Sequence, residues 1–248
     1  MFSPAIEKQR RQLYANTVRQ MGQRLRPATE PAAMLAALSW GMAELEKTYA
    51  ETPASIRASV ACRAGCSHCC TGAVDVQAHE VFFAAEHIQL TFSAEQLSAV
   101  IAHTGARRDR IAISALDSAS ASANAAGDRL QESCPLISND GQCGIYAGRP
   151  EACRAHHTSD ASVCAAWVYD TTVDLDAVYI PPLRARMFAV MIGMDEAIES
   201  AGFDDRAYDL GSALHEALTN SLCRVLWMQR KPAFPDSCLA PAPEDDVG

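Results

Sequence analysis

The chain lacks any apolar run approaching the roughly 20 residues of a membrane span, and it lacks positive charge. Against 30 Asp and Glu stand only 21 Lys and Arg, a formal charge of -9. The first absence argues against a membrane-spanning helix. The second argues against a general nucleic-acid or anionic-membrane partner, because polyphosphate binding relies on a positive field. The opening MFSPAIEKQRRQLYAN carries Lys8, Arg10 and Arg11 but no uninterrupted apolar region and no small-residue cleavage site, so a reducing cytoplasm is the expected home. No internal repeat, nucleotide-cradling glycine loop, Ser-His-Asp signature or paired-carboxylate signature is visible. At 248 residues the chain needs no metal or disulfide merely to compensate for smallness.

Cysteine is what is there in excess. Of ten cysteines, four fall within nine positions of ACRAGCSHCCT: Cys62, Cys66, Cys69 and Cys70. Core packing alone would choose residues that do not oxidise, and a disulfide framework needs an oxidising compartment. Metal coordination is the preferred reading, since soft thiolates hold zinc and iron-sulfur clusters and gaps of two or three residues let neighbouring thiolates converge. Gly65 lets that loop wrap tightly. Adjacent side chains diverge in an extended backbone, so Cys69 and Cys70 serve different ions, different edges of one cluster, or a ligand and a spare thiol.

Cys134, Cys143, Cys153 and Cys164 form a second group, too widely spaced for a finger by itself but able to complete the first if the fold brings the two together. Within it, GRPEACRAHH reads as a helix start with Pro150 at its first position and Glu151 at the positive end, placing Cys153 and His157 one turn apart on one face. His157 and His68 are candidates to replace a thiolate, although a hydrogen-bonding role is the preferred reading for each. His79, His87, His103 and His215 lie on helices without cysteine neighbours and read as ordinary polar residues. Arg149 and Arg154 flank Cys153, where cations offset a polythiolate charge. Cys223, on an apolar helix, and Cys238, in the tail, are left out of the site.

The rest reads as helix. An amphipathic helix covers Ser3 to Arg26, and another after Pro31 carries the stripe Met34, Leu35, Leu38, Met42, Leu45 and Tyr49 until Pro53 breaks it. Ala73 to Val76 reads as extended. A helix with Val81, Phe82, Ala85 and Ile88 follows, then one opened by the capping box Ser93 and Gln96 with Leu97, Val100 and Ile101 buried. Arg107 to Leu130 reads as a separate, weakly amphipathic helix with Ile111, Leu116 and Leu130 as anchors, its Arg107, Arg108 and Arg110 on a solvated face. Beyond Pro181 and Pro182 come one helix with Met187, Val190, Met191, Met194 and Ile198 and another with Leu210, Leu214, Leu218, Leu222 and Val225. The expected fold is mainly α, a single domain over 1–231 with a helical part at 1–52 and cysteine loops at 62–70 and 134–164 forming one composite metal site. Residues 232–248, Pro-rich and acidic, are expected to be a flexible tail.

On CRAGCSHCC, CPLISNDGQCGIYAGRPEACR and the following Cys164, the chain resembles the YkgJ-type cysteine-cluster family, a zinc- or iron-chelating domain with a CxxCxxCC-like signature. YDLGSALHEAL also looks like members of that family, and Cys62 to Cys66 departs from the signature by one residue. The resemblance implies eight metal-linked cysteines, Cys62, Cys66, Cys69, Cys70, Cys134, Cys143, Cys153 and Cys164, with zinc or an iron-sulfur cluster as cofactor and a metal ion as partner. It implies no particular reaction. A metal-binding protein without catalysis asks least of the sequence. An iron-sulfur enzyme of S-adenosylmethionine-linked methyl transfer is the alternative, since Cys62, Cys66 and Cys69 reproduce the three-then-two spacing of such enzymes and flagellin lysine methylases share the signature. Against it stands the missing alternation of strands and helices that a barrel requires. A thiol-redox protein needs two cysteines rather than eight.

Overall fold

A computed structural model describes residues 4–63, 65–70, 74–117, 133–138, 140–170 and 172–240. The fold is mainly α, as expected. Helices α1 (Pro4–Leu25), α2 (Pro31–Ala50) and the short α3 (Ala54–Arg57) precede the first cysteine loop. Then come strand β1 (Asp75–Gln77), α4 (Ala78–Thr91) and α5 (Ala94–Asp117). Past the second loop and a 3-10 turn at Tyr146–Gly148 lie α6 (Glu151–Ala155) and α7 (Ala161–Tyr169). The chain ends through α8 (Pro181–Ser200), β2 (Ala207–Asp209), α9 (Leu210–Thr219) and α10 (Leu222–Met228).

Packing follows the apolar stripes. Met34, Leu38, Met42 and Leu45 of α2 and Met187, Val190, Met194 and Ile198 of α8 are all buried, and α1 packs along α8 and α2. On the other side α9 packs against α5 and α4, while α2 touches α4 and so joins the two groups. The buried apolar residues of both form one contiguous cluster, whose Val, Leu, Ile, Phe and Met members each contribute on the order of 1.5–3 kcal/mol. Strands β1 and β2 pair antiparallel, with Val76 opposite Tyr208.

The structure corrects several boundaries. The Ser93 capping box forms, Ser93 N–H donating to Gln96 Oε1 at 2.8 Å and Gln96 N–H to Ser93 Oγ at 3.2 Å, but the helix it opens runs on unbroken to Asp117. Arg107 therefore does not start a second helix, and it is buried rather than solvated because it pairs with Asp209 at 2.8 Å. Residues 118–130 of the expected helix lie outside the described residues, as does Ala73 of the expected extended stretch. The helix expected over Leu210 to Val225 is two, parted at Asn220, whose backbone leaves the helical region. In the expected tail, Ala233, Phe234 and Cys238 are buried, and Phe234 stacks on Phe82 at 5.1 Å, so packing continues to Ala240. Residues 241–248 lie outside the described residues.

Candidate metal centre

The first cysteine loop is built from two successive turns. Cys66 N–H donates to Arg63 O and Cys70 N–H to Ser67 O, each at 2.9 Å, and Gly65 at φ +82 supplies the left-handed conformation within the first of them. Each turn closes on a cysteine. The loop is pinned at both ends by the second cysteine region: Ala61 N–H donates to Thr158 O at 2.8 Å, and Cys134 N–H donates to Cys70 O at 2.9 Å.

The second region supplies its thiols from three small units. Ser138 N–H donates to Gln142 O and Gly144 N–H to Leu136 O, both at 2.9 Å, a narrow loop turning at Gly141 (φ +77) that carries Cys134 and Cys143. Gly141 lies so near the first loop that a Cβ there would sit 3.8 Å from Gly65 O. Helix α6 carries Cys153 and is too short to hold itself. Glu80 fixes its start, one carboxylate oxygen accepting from Glu151 N–H and the other from Gln77 N–H, both at 2.7 Å. Arg154 fixes its end, donating to Arg149 O at 2.9 Å, Glu46 Oε1 at 2.5 Å and Ala147 O. Helix α7, capped where Asp160 accepts from Ser162 N–H, carries Cys164.

These units surround one cavity of about 710 Å³, and all eight of Cys62, Cys66, Cys69, Cys70, Cys134, Cys143, Cys153 and Cys164 stand on its wall. Cys223 and Cys238 do not; both are buried elsewhere. Thr158 Oγ1 lies between two of the thiols, 3.7 Å from Cys62 Sγ and 3.3 Å from Cys164 Sγ. Burial pushes the Cys134 thiol up to about 11 and raises Cys143 and Cys164 as well. Cys153 is raised by burial and by the nearby thiols of Cys134 and Cys69, whereas Cys69 is raised first by its hydrogen bond with Cys70. Among all the described cysteines no disulfide forms.

His68, His156 and His157 share the wall. Helix α6 ends at Ala155, so Cys153 and His157 do not lie one turn apart on a helical face. His157 instead stacks on Tyr49 with ring centroids 4.7 Å apart; burial lowers its pKa, and its buried Nδ1 has no partner among the described residues. A neutral imidazole on the wall of a thiol cavity has the donor chemistry for ligation. His156 went unnoticed in the sequence, where only its place beside His157 and Cys153 marks it. Arg149 and Arg154 also line the cavity, where their charge lowers the cost of ionising Cys143.

A second group was missed altogether. His79 Nε2 lies 2.7 Å from Glu151 Oε1, both side chains being fully enclosed, and Asp195 of α8 stands close by. Burial and the charge of Glu151 push Glu80 and Asp195 up to about 7, burial pushes Glu151 up to about 8, and burial lowers His79. No local motif joins these residues, which come from three helices far apart in the chain.

The donor set on the cavity wall, thiols with neutral imidazoles, is the chemistry of zinc and iron sites. Residues 61–173 match the CxxCxxCC family model, described as a putative zinc- or iron-chelating domain. No curated protein and no solved structure matches the chain.

Proposed function

We propose, from the match of residues 61–173 to the CxxCxxCC family model of zinc or iron chelation, that the chain is a metal-binding protein whose eight cavity cysteines hold the metal together. The observation that carries this is the convergence of all eight, and neither of the other two, on one cavity. Four thiolates saturate a tetrahedral zinc ion, so eight call for more than one metal atom, whether as zinc ions or as an iron-sulfur centre. Cys62, Cys66, Cys69 and Cys70 come from the first loop and Cys134, Cys143, Cys153 and Cys164 from the second region, and His157 is the imidazole best disposed to join them. Ten free thiols favour a reducing compartment, and we place the protein in the cytoplasm within the YkgJ-type branch. When bound, the metal supplies a Lewis-acidic or redox-active centre; the chain's own contribution is to position the thiols and to surround them with Arg149 and Arg154.

Anaerobic purification followed by elemental analysis and an absorption spectrum tests the reading. More than one zinc or iron atom per chain is expected, brown colour with labile sulfide marking the cluster and colourless zinc protein the alternative. Cys143→Ser should lower the metal content while Cys238→Ala leaves it unchanged. Protein devoid of both metals, or equal loss in both variants, would overturn the assignment.

A further inference from the structure

Behind the cysteine cavity, His79, Glu151 and Asp195 each offer a ligand atom, and the three atoms lie within 4.8 Å of one another. They come from α4, α6 and α8; hydrogen bonds join α4 to α6 through His79–Glu151 and through Glu151 N–H to Glu80, but among the described residues none draws Asp195 of α8 to them. The His79–Glu151 bond accounts for Nε2, leaving the fully buried His79 Nδ1 without a partner among the described residues. Asp195 has no hydrogen bond or ion pair among the described residues, although burial and the charge of Glu151 both act against its carboxylate. Buried Glu151 and Glu80 thus stand beside half-buried Asp195 in a region poor in cations among the described residues. Arg154, the cation that Glu151 senses, commits its N–H groups to Glu46, Arg149 O and Ala147 O. Isolated buried charges of like sign are costly unless paired or bound to a metal.

We propose that His79, Glu151 and Asp195 form a second metal site, for a divalent cation such as Zn²⁺, Mn²⁺ or Fe²⁺, separate in donor chemistry from the thiol cavity. One imidazole nitrogen with two carboxylate oxygens suits borderline to hard ions, whereas the polythiolate wall selects soft ones. Bound there, the ion clamps α6 to α4 and α8. Glu151 stands two residues before Cys153, so the clamp fixes the helix that presents this thiol to the cavity.

Mn²⁺ discriminates between the two sites because thiolates hold it weakly. It should be titrated, with electron paramagnetic resonance of free Mn²⁺ as the readout, into protein purified from zinc-depleted medium. One Mn²⁺ per chain is expected, retained in Cys143→Ser and weakened by roughly tenfold or more in Asp195→Asn and His79→Gln. Asp195→Asn keeps the side chain's shape and breaks no hydrogen bond, so its loss of Mn²⁺ reports the missing charge. Absence of Mn²⁺ binding by the unmodified protein, equal affinity in Asp195→Asn, or loss of Mn²⁺ in Cys143→Ser would each overturn the second site. Because Cys143→Ser tests the thiol centre by itself, the two assignments stand or fall separately.

Discussion

Three acids with pKa values raised in the same direction make the His79 region a proton reservoir in the metal-free protein. Glu80 at about 7, Glu151 at about 8 and Asp195 at about 7 bind protons in the folded chain that an unfolded chain has already released above about pH 5. At these three sites the folded state holds more protons than the unfolded one, so their contribution to stability is fullest near pH 4–5 and is lost as pH rises through 7–8, while the lowered histidines His79, His87, His156 and His157 act in the opposite sense. For Glu80 alone, fully enclosed and shifted from 4.5 to about 7, the loss is of order 3 kcal/mol. Urea denaturation of chelator-treated protein at pH 5 and pH 8 should therefore show the Glu151→Gln variant gaining stability relative to the unmodified protein as pH rises. A difference between the two that does not change with pH would contradict the assignment of these acids. None of this was legible in the sequence: His79 reads as an unremarkable helical residue, and its significance arises only because the fold delivers Glu151 and Asp195 to it.

At the scale of elements, the pattern of apolar residues located α1, α2, α4 and α8 well, since their burial follows a single repeating stripe. Where a tertiary contact decides, it misled. Arg107 looked solvated because its partner Asp209 lies on the far side of the cysteine region, and the Cys153–His157 face failed because α6 lasts only five residues. Helix α6 is held by borrowed bonds, which makes it a sensitive point. Arg154→Met removes three donor nitrogens and leaves the carbonyls of Arg149 and Ala147 and the carboxylate of Glu46 without that donor, at a cost of roughly 2–4 kcal/mol. Metal content should drop along with the melting temperature, as Cys153 loses its fixed position. Gly148→Ala offers a milder version: its Cβ would fall 2.5 Å from His87 Cβ, forcing the 3-10 turn off α4 for about 1–3 kcal/mol. Unchanged melting of both variants would show that α6 is not fastened in this way.

Across the whole molecule, the apolar core and the thiol cavity share one wall, where Leu136, Ile145, Met187 and Leu210 line the cavity and Cys134 and Cys143 pack against the core. The core draws on α1, α2, α4, α8, α9 and α10, and from the cysteine region chiefly on Leu136, Ile145 and Ala155. Removing the metal should then leave the helices packed while the two loops, pinned to each other through Ala61–Thr158 and Cys70–Cys134, lose their strongest link. Binding to the folded state alone stabilises it by about 2.7 kcal/mol at a free metal concentration one hundred times Kd. The raised thiols set the pH dependence. At pH 7 Cys134, Cys143, Cys153 and Cys164 hold their protons, and each one that becomes a ligand must release one. Every released proton weakens apparent affinity about tenfold per unit fall in pH. Calorimetry should accordingly show a metal-dependent rise in melting temperature that is larger at pH 8 than at pH 6, with protons appearing in weakly buffered solution on metal addition. Hydrogen exchange should localise the gain to residues 61–70 and 133–170, with α1, α2 and α8 equally protected in both forms. Global loss of helix protection on chelation would mean that the metal organises the core itself, and pH-independent uptake without proton release would mean that the thiols are not its ligands.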